Sequence, residues 1–282
     1  MLVNYKERQL TTFPEELLGN KLITNLNLEG NQLTYLPAWI TSLTGLKVLY
    51  LTNNKISDIS LLAKMPSLEL LYMNHNEVRQ LPEDIGNLKQ LRRLYLGYNQ
   101  LEYLPDSFYE LKELRMLNLK RNKLTSLDDK IGQLYQLVNL DLTRNQLWEL
   151  PVGISQCRQL KQLLLKTNKL FSLPWQLEYM TALEELDVAK NQLAVIERLP
   201  VSLKQLHMEG NPVQHVDVRV DKLSYDHTQA EQVAGLAGTH ELVNMDINAK
   251  IAAQIKSLEL RNKWNELHGL EKIPYPTADD ED

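Results

Sequence analysis

Three tyrosines, Tyr50, Tyr72 and Tyr95, recur at intervals of 22 and 23 residues, each flanked on both sides by an aliphatic residue. Around them stand Val48, Leu70, Arg93, Met116, Asn74, His75 and Tyr98. Such a set does no bond-making chemistry. It offers ring faces, a thioether and a guanidinium, the groups favoured where one protein surface meets another. A run of cations follows: Lys120, Arg121, Arg144, Lys166 and Lys190, broken by Asp141 and Asp187. An aromatic anchor beside a positive strip suits a protein segment with an apolar side chain and acidic residues. Tyrosine is also simply a good strand residue and lysine a good solubiliser, but these tyrosines cluster instead of scattering. Tyr103, Trp148, Phe171 and Trp175 form a second aromatic set, expected on one flank, exposed or partly buried between coils.

Catalytic constellations are missing. The sequence contains no G-x-x-x-x-G-K-[ST] phosphate loop and no G-x-S-x-G elbow. Its six histidines, 75, 207, 215, 227, 240 and 268, lack metal-ligand spacing with cysteine. Asp141, Asp187 and His207 are expected on strands too far apart to converge. The reading is therefore non-enzymatic, with no metal and no cofactor. Cys157 is the only cysteine, so no internal disulfide can form. It occupies a position that other units fill with leucine, and should be a buried small hydrophobe.

The element that positions these groups is a repeat. Residues 114–134, LRMLNLKRNKLTSLDDKIGQL, read L-x-x-L-x-L-x-x-N-x-L-x-x-L with an Ile131 and Leu134 tail. The same pattern starts at Ile23, Leu46, Leu68, Leu91, Leu137, Leu160, Leu183 and Leu203. With Leu114 included, the steps are 23, 22, 23, 23, 23, 23, 23 and 20 residues. A fixed period in this range specifies a solenoid of stacked coils, because one unit cannot bury its own apolar face. Within L-x-L the two leucines point one way and the residue between them the other. The in-between positions read Asn27, Tyr50, Tyr72, Tyr95, Asn118, Asp141, Leu164, Asp187 and His207, which should form one column on an open sheet face. Asn31, Asn54, Asn76, Asn99, Asn122, Asn145, Asn168, Asn191 and Asn211 recur where the chain turns inward. An amide both donates and accepts, so each should bond the turns above and below. L-P pairs at 36–37, 81–82, 104–105, 150–151 and 173–174 should open short helices on the opposite side. The second unit, SDISLLAKMPS, lacks the proline and should turn differently.

The unit LRRLYLGYNQLEYLPDSFYELKE, residues 91–113, resembles the leucine-rich-repeat superfamily, in its intracellular Ras-group-like 23-residue type. The likeness covers roughly residues 1–225. It implies an α/β fold, a right-handed leucine-rich-repeat solenoid shaped as a curved horseshoe, with a parallel concave sheet and short convex helices. It also implies protein recognition on the concave face and names no partner.

Residues 1–22 fit a truncated first repeat, with Arg8 where the asparagine should be and an uncovered edge strand. The spacing Val220-x-x-Leu223-x-Tyr225 predicts one last strand. Thr228-x-x-Glu231 is a capping box. Leu242, Ile247, Ile251, Ile255, Leu258 and Trp264 make a helical stripe, so residues 226–270 read as a C-terminal helical cap or a dimerisation helix. The stretch 271–282 is acidic and expected to be disordered. A net charge of −5 excludes a general nucleic-acid binder. The N-terminal residues lack a signal-peptide core, and nothing approaches the roughly 20 apolar residues of a membrane span. A cytoplasmic monomer or weak dimer, binding a protein partner, is the expectation. Self-association through the edge strand or the C-terminal helix, or service as the recognition subunit of an enzyme complex, are the alternatives.

Overall fold

The computed structural model describes residues 1–217 and 222–224. The expected cap over 226–270 and acidic stretch over 271–282 lie outside the described residues. Eleven strands form one parallel sheet in the order β1 (Leu2–Asn4), β2 (Asn25–Asn27), β3 (Val48–Tyr50), β4 (Leu70–Tyr72), β5 (Arg93–Tyr95), β6 (Met116–Asn118), β7 (Asn139–Asp141), β8 (Gln162–Leu164), β9 (Glu185–Asp187), β11 (Gln205–His207) and β13 (Lys222–Ser224). The register is constant: Leu71 lies opposite Leu94 and Tyr72 opposite Tyr95. The central residue of each strand from β2 to β9 is buried. Its neighbours face outward, as the period of two requires.

Each strand is only three residues long because the chain turns at once. The residue before the ladder asparagine adopts a left-handed conformation: His75, Tyr98, Arg121, Arg144, Thr167 and Lys190 have φ between 53° and 59°. Gly30 and Gly210 take the same place with φ 69° and 73°. L-residues pay for that geometry, and here the asparagine holds it. Asn122 Oδ1 accepts from Leu101 N (2.9 Å), while its Nδ2 donates to Leu96 O (2.9 Å) and Leu119 O (3.0 Å). So each amide ties its own coil to the preceding one, rather than bridging both neighbours. Asn31 does the same for the truncated first coil, accepting from Arg8 N and Leu10 N.

Opposite the sheet lie single 3-10 turns such as Ala38–Ser42, Asp106–Glu110 and Val152–Gln156, and no α-helix occurs among the described residues. In these three the L-P proline sits at the N-cap, one place earlier than the expected first helical position. The second unit still makes a 3-10 turn, Ser60–Lys64, but Asp58 replaces proline by accepting from Ser60 N (2.8 Å). The turns pack so closely that a Cβ on Gly153 would lie 2.0 Å from Asp129 O. Strands at ladder spacing of about 4.8 Å stand closer than helical turns can. The sheet therefore lines the narrower, concave side.

The core between the two layers is almost wholly leucine and isoleucine, with Phe108, Tyr109 and Cys157 set among them. Cys157 is fully buried, as expected, and its thiol is pushed up to about 12 by burial. Tyr109 is a buried aromatic whose hydroxyl accepts from Asp128 N (3.2 Å).

After Asn191 the pattern shifts. The shortened unit from Leu183 to Leu203 has no 3-10 turn and instead pairs β10 (Val195–Glu197) with β12 (His215–Asp217) in a second two-stranded sheet. A consequence is that β9 and β11 are neighbours in the main sheet, with Asp187 opposite His207. The expectation that these two are far apart is wrong. Asp187 and His207 are consecutive members of the in-between column, and with β10 outside the main sheet no strand separates them. Asp141 stays apart, separated from Asp187 by Leu164.

Candidate functional site: the concave sheet face

Tyr50, Tyr72 and Tyr95 share one column because their strands are in register. Their rings stack: Tyr50 on Tyr72 at 4.7 Å between centroids and 13° between planes, Tyr72 on Tyr95 at 4.6 Å and 7°. Strand spacing sets the distance, and equivalent positions on parallel neighbouring strands set the rings nearly parallel. Tyr95 extends the column by donating its hydroxyl to Met116 Sδ at 3.6 Å. Burial, then the neighbouring Tyr72, hold its hydroxyl above the usual tyrosine range. All three rings are half-buried by one another. Val48 is buried and Leu70 half-buried in the adjacent column, with Arg93 and Met116 continuing it.

A second column runs along the loop edge of the sheet. His75 stacks on Tyr98 at 3.9 Å and 18°, and the guanidinium of Arg121 lies 5.0 Å from the Tyr98 ring centre. A cation over a ring face is attracted by its quadrupole. These residues were named by the sequence as part of the patch, but their stacking was not foreseen. The signal was present: each directly precedes a ladder asparagine, so all occupy one left-handed position.

The cationic strip is shorter than the sequence implied. Lys120 is half-buried, and Arg121 and Arg144 are exposed. Lys166 is instead paired with Glu209 at 2.9 Å, and that contact holds its ammonium above the usual lysine range. Glu209 follows β11, two strands on from β8, with the small Ala189 at the corresponding position between it and Lys166.

Beyond Met116 the column that began at Val48 turns polar. Asn139 Nδ2 donates to Gln162 Oε1 (2.7 Å), Gln162 Nε2 donates to Glu185 Oε2 (2.7 Å), and His207 Nε2 lies 3.9 Å from Glu185 Oε1. Burial raises the Asp187 carboxyl, although Ala189 N donates to it at 3.0 Å. Asp187 and His207 are adjacent on β9 and β11. The flank set is only partly joined: Trp148 and Phe171 are 6.0 Å apart and half-buried, whereas Tyr103 and Trp175 are exposed. Among the described residues no cluster of three or more His, Cys, Asp or Glu is placed to hold a metal ion, and no helix is long and apolar enough to cross a membrane.

A repeat solenoid with an open, side-chain-rich parallel sheet is the class these features define. Family models described as "Leucine rich repeat" match residues 78–124 and 89–147, and "Leucine Rich repeats (2 copies)" match 21–64 and 44–89. The chain belongs to the leucine-rich-repeat superfamily. It is similar to leucine-rich repeat-containing G-protein coupled receptor 5 of Xenopus tropicalis, 38% identical over 74 residues, covering 26% of this chain and 8% of the receptor. Thus the match spans less than a tenth of that relative. The functional domain of InlJ from Listeria monocytogenes superposes with a TM-score of 0.67 at 23% identity, over 79% of this chain and 53% of that one. A chain of the octameric complex of Latrophilin 3, Unc5D and FLRT2 superposes with a TM-score of 0.64 at 21% identity, over 78% and 72%. At such identity the likeness is one of fold. Proteins of this superfamily generally mediate protein–protein interaction.

Proposed function

We propose that this protein is a non-enzymatic recognition scaffold that holds a protein partner against its concave face, with Tyr50, Tyr72 and Tyr95 as the anchor. The observation that carries it is the pair of ring stacks at 4.7 and 4.6 Å. Rings already packed on one another lose little freedom when a partner covers them, and ordering cost is what most erodes affinity. A merely strand-compatible tyrosine would need no second column in register, yet His75, Tyr98 and Arg121 supply one. A cytoplasmic setting belongs to the same proposal, since the chain has a single cysteine. The test is capture of partners from the native cell, identified by mass spectrometry, with the wild-type chain and with Tyr72→Ala/Tyr95→Ala. Partners retained only by the wild type support the assignment. Partners retained equally by a folded variant refute it.

A second reading, association through β1, is favoured by exposed Leu2, Leu18 and Leu22 near that edge strand. Light scattering that gives a concentration-independent monomer removes it.

A further inference from the structure

The cations of this molecule are distributed unevenly between the two edges of the sheet. On the edge that precedes the strands four of five are neutralised in alternation, Arg115 being the exception among the described residues. Glu69 takes Lys47 (2.8 Å) and Arg92 (3.7 Å), and Glu184 takes Lys204 (2.8 Å) and Lys161 (3.4 Å). On the loop edge that follows the strands, Lys120, Arg121, Lys123, Arg144 and Lys190 have no carboxylate within ion-pair distance among the described residues. The acid nearest by position, Asp141, uses Oδ1 to accept from Thr143 N.

Two features make this more than a solubilising fringe. Arg121 and Arg144 are consecutive members of the left-handed column, φ 53° and 58°, so their Cα–Cβ directions are fixed and they stand side by side one coil apart. Like charges at about strand spacing repel unless an anion lies between them. And Arg121 is held over the Tyr98 ring at 5.0 Å, whose other neighbour is His75. The guanidinium is thereby kept at the rim of the tyrosine surface instead of ranging through solvent.

We propose that the loop edge beside the tyrosine column reads acid: Arg121 and Arg144 receive carboxylates of an Asp/Glu-rich segment of the partner, while an apolar side chain of that segment lies on Tyr72 and Tyr95. This rests on the concave-face reading above and adds the partner's chemistry to it. The cations form a row across successive coils and do not converge on a pocket. A row suits several carboxylates along an extended segment, whose alternate side chains recur every ~6.7 Å. Neighbouring coils stand about 4.8 Å apart, and the long arginine side chains can splay over the remaining ~2 Å so that each takes one carboxylate. The positive potential of the row would also steer such a segment to the face.

The experiment is selection of a random peptide library displayed on phage against the full chain, with three proteins in parallel: wild type, Arg121→Glu/Arg144→Glu, and Tyr72→Ala/Tyr95→Ala. A neutral pair, Arg121→Gln/Arg144→Gln, controls for folding, and circular dichroism is recorded for all. The expected outcome is enrichment by the wild type of peptides with clustered Asp or Glu beside an apolar or aromatic residue. For one such peptide, calorimetry should give affinity lowered roughly tenfold or more by charge reversal, less by the glutamine pair, with a shallower salt dependence in both. Enrichment without acidic bias, or the same acidic peptides on wild type and charge-reversed protein, overturns the acid assignment and leaves the tyrosine face standing. Acidic peptides that bind the tyrosine variant undiminished overturn the tyrosine anchor instead. No enrichment on the wild type overturns both. Enriched sequences that match residues 274–282 of this chain would make the occupant intramolecular and overturn a separate partner.

Discussion

Tyr72 lies between two parallel rings, 4.7 Å from Tyr50 and 4.6 Å from Tyr95, so it is the one aromatic of the column packed on both faces. Its removal strips a contact from each neighbour. A double-mutant cycle on Tyr72 and Tyr95 should give a coupling of about 0.5–1.5 kcal/mol in urea unfolding. Tyr72→Ala should cost more stability than Tyr50→Ala, which loses one ring contact. Equal costs would mean that the stack contributes nothing.

Asn122 fills three backbone valences with one side chain, at 2.9, 2.9 and 3.0 Å. Replacement by alanine leaves the buried Leu101 N unpaired, while Leu96 O and Leu119 O keep the bonds donated by Asn99 Nδ2 (3.0 Å) and Asn145 Nδ2 (2.9 Å). The expected loss is about 1–3 kcal/mol per unsatisfied group, read from the shift of the denaturation midpoint. Asn122→Asp should also be destabilising, because it keeps the acceptor but turns the donors into charge beside Leu96 O and Leu119 O.

Gly153 tests the close approach of the convex turns. A Cβ there would sit 2.0 Å from Asp129 O and 2.7 Å from Asp129 C, both backbone atoms with no flexible end to yield. Gly153→Ala is expected to destabilise by about 1–3 kcal/mol or more through overpacking, measured by thermal unfolding. Gly19→Ala, with nothing within 4 Å but φ 71°, should cost less and for a different reason.

Cys157 has no solvent exposure, donates to Ile131 O at 3.3 Å, and its thiol is raised to about 12 by burial. A thiol-reactive disulfide reagent at pH 8 should therefore label the folded protein only at the rate of opening, and should label it at once in denaturant. Prompt labelling under native conditions would place Cys157 outside the core.

Asp187 carries the sign opposite to the paired surface carboxylates. Burial raises its folded-state carboxyl above the unfolded value of 3.8. The contribution to stability is then full below that value and is lost as pH rises through the raised one. Asp187→Asn keeps the acceptor for Ala189 N and removes the buried charge. The variant should be more stable than wild type at neutral pH, with the difference shrinking towards pH 3. Glu69 and Glu184, held below the usual carboxylate range first by hydrogen bonds from Lys47 and Lys204, work the other way and lose their contribution on acidification.

What the sequence alone determined is whatever depends on period. Leucines at fixed spacing must share one side, and residues between them the other. The eleven-stranded register, the asparagine column, the buried Cys157 and the co-alignment of Tyr50, Tyr72 and Tyr95 all follow from that counting. Tertiary structure decided what depends on where a coil departs from the period. The shortened unit after Leu183 forms β10 outside the main sheet, and Glu209, two coils beyond Lys166, reaches its ammonium. The left-handed turn before each asparagine stacks His75, Tyr98 and Arg121. The period puts such residues in common columns, but whether two of them touch is settled at a few ångströms across coils, by side-chain placement that counting does not give.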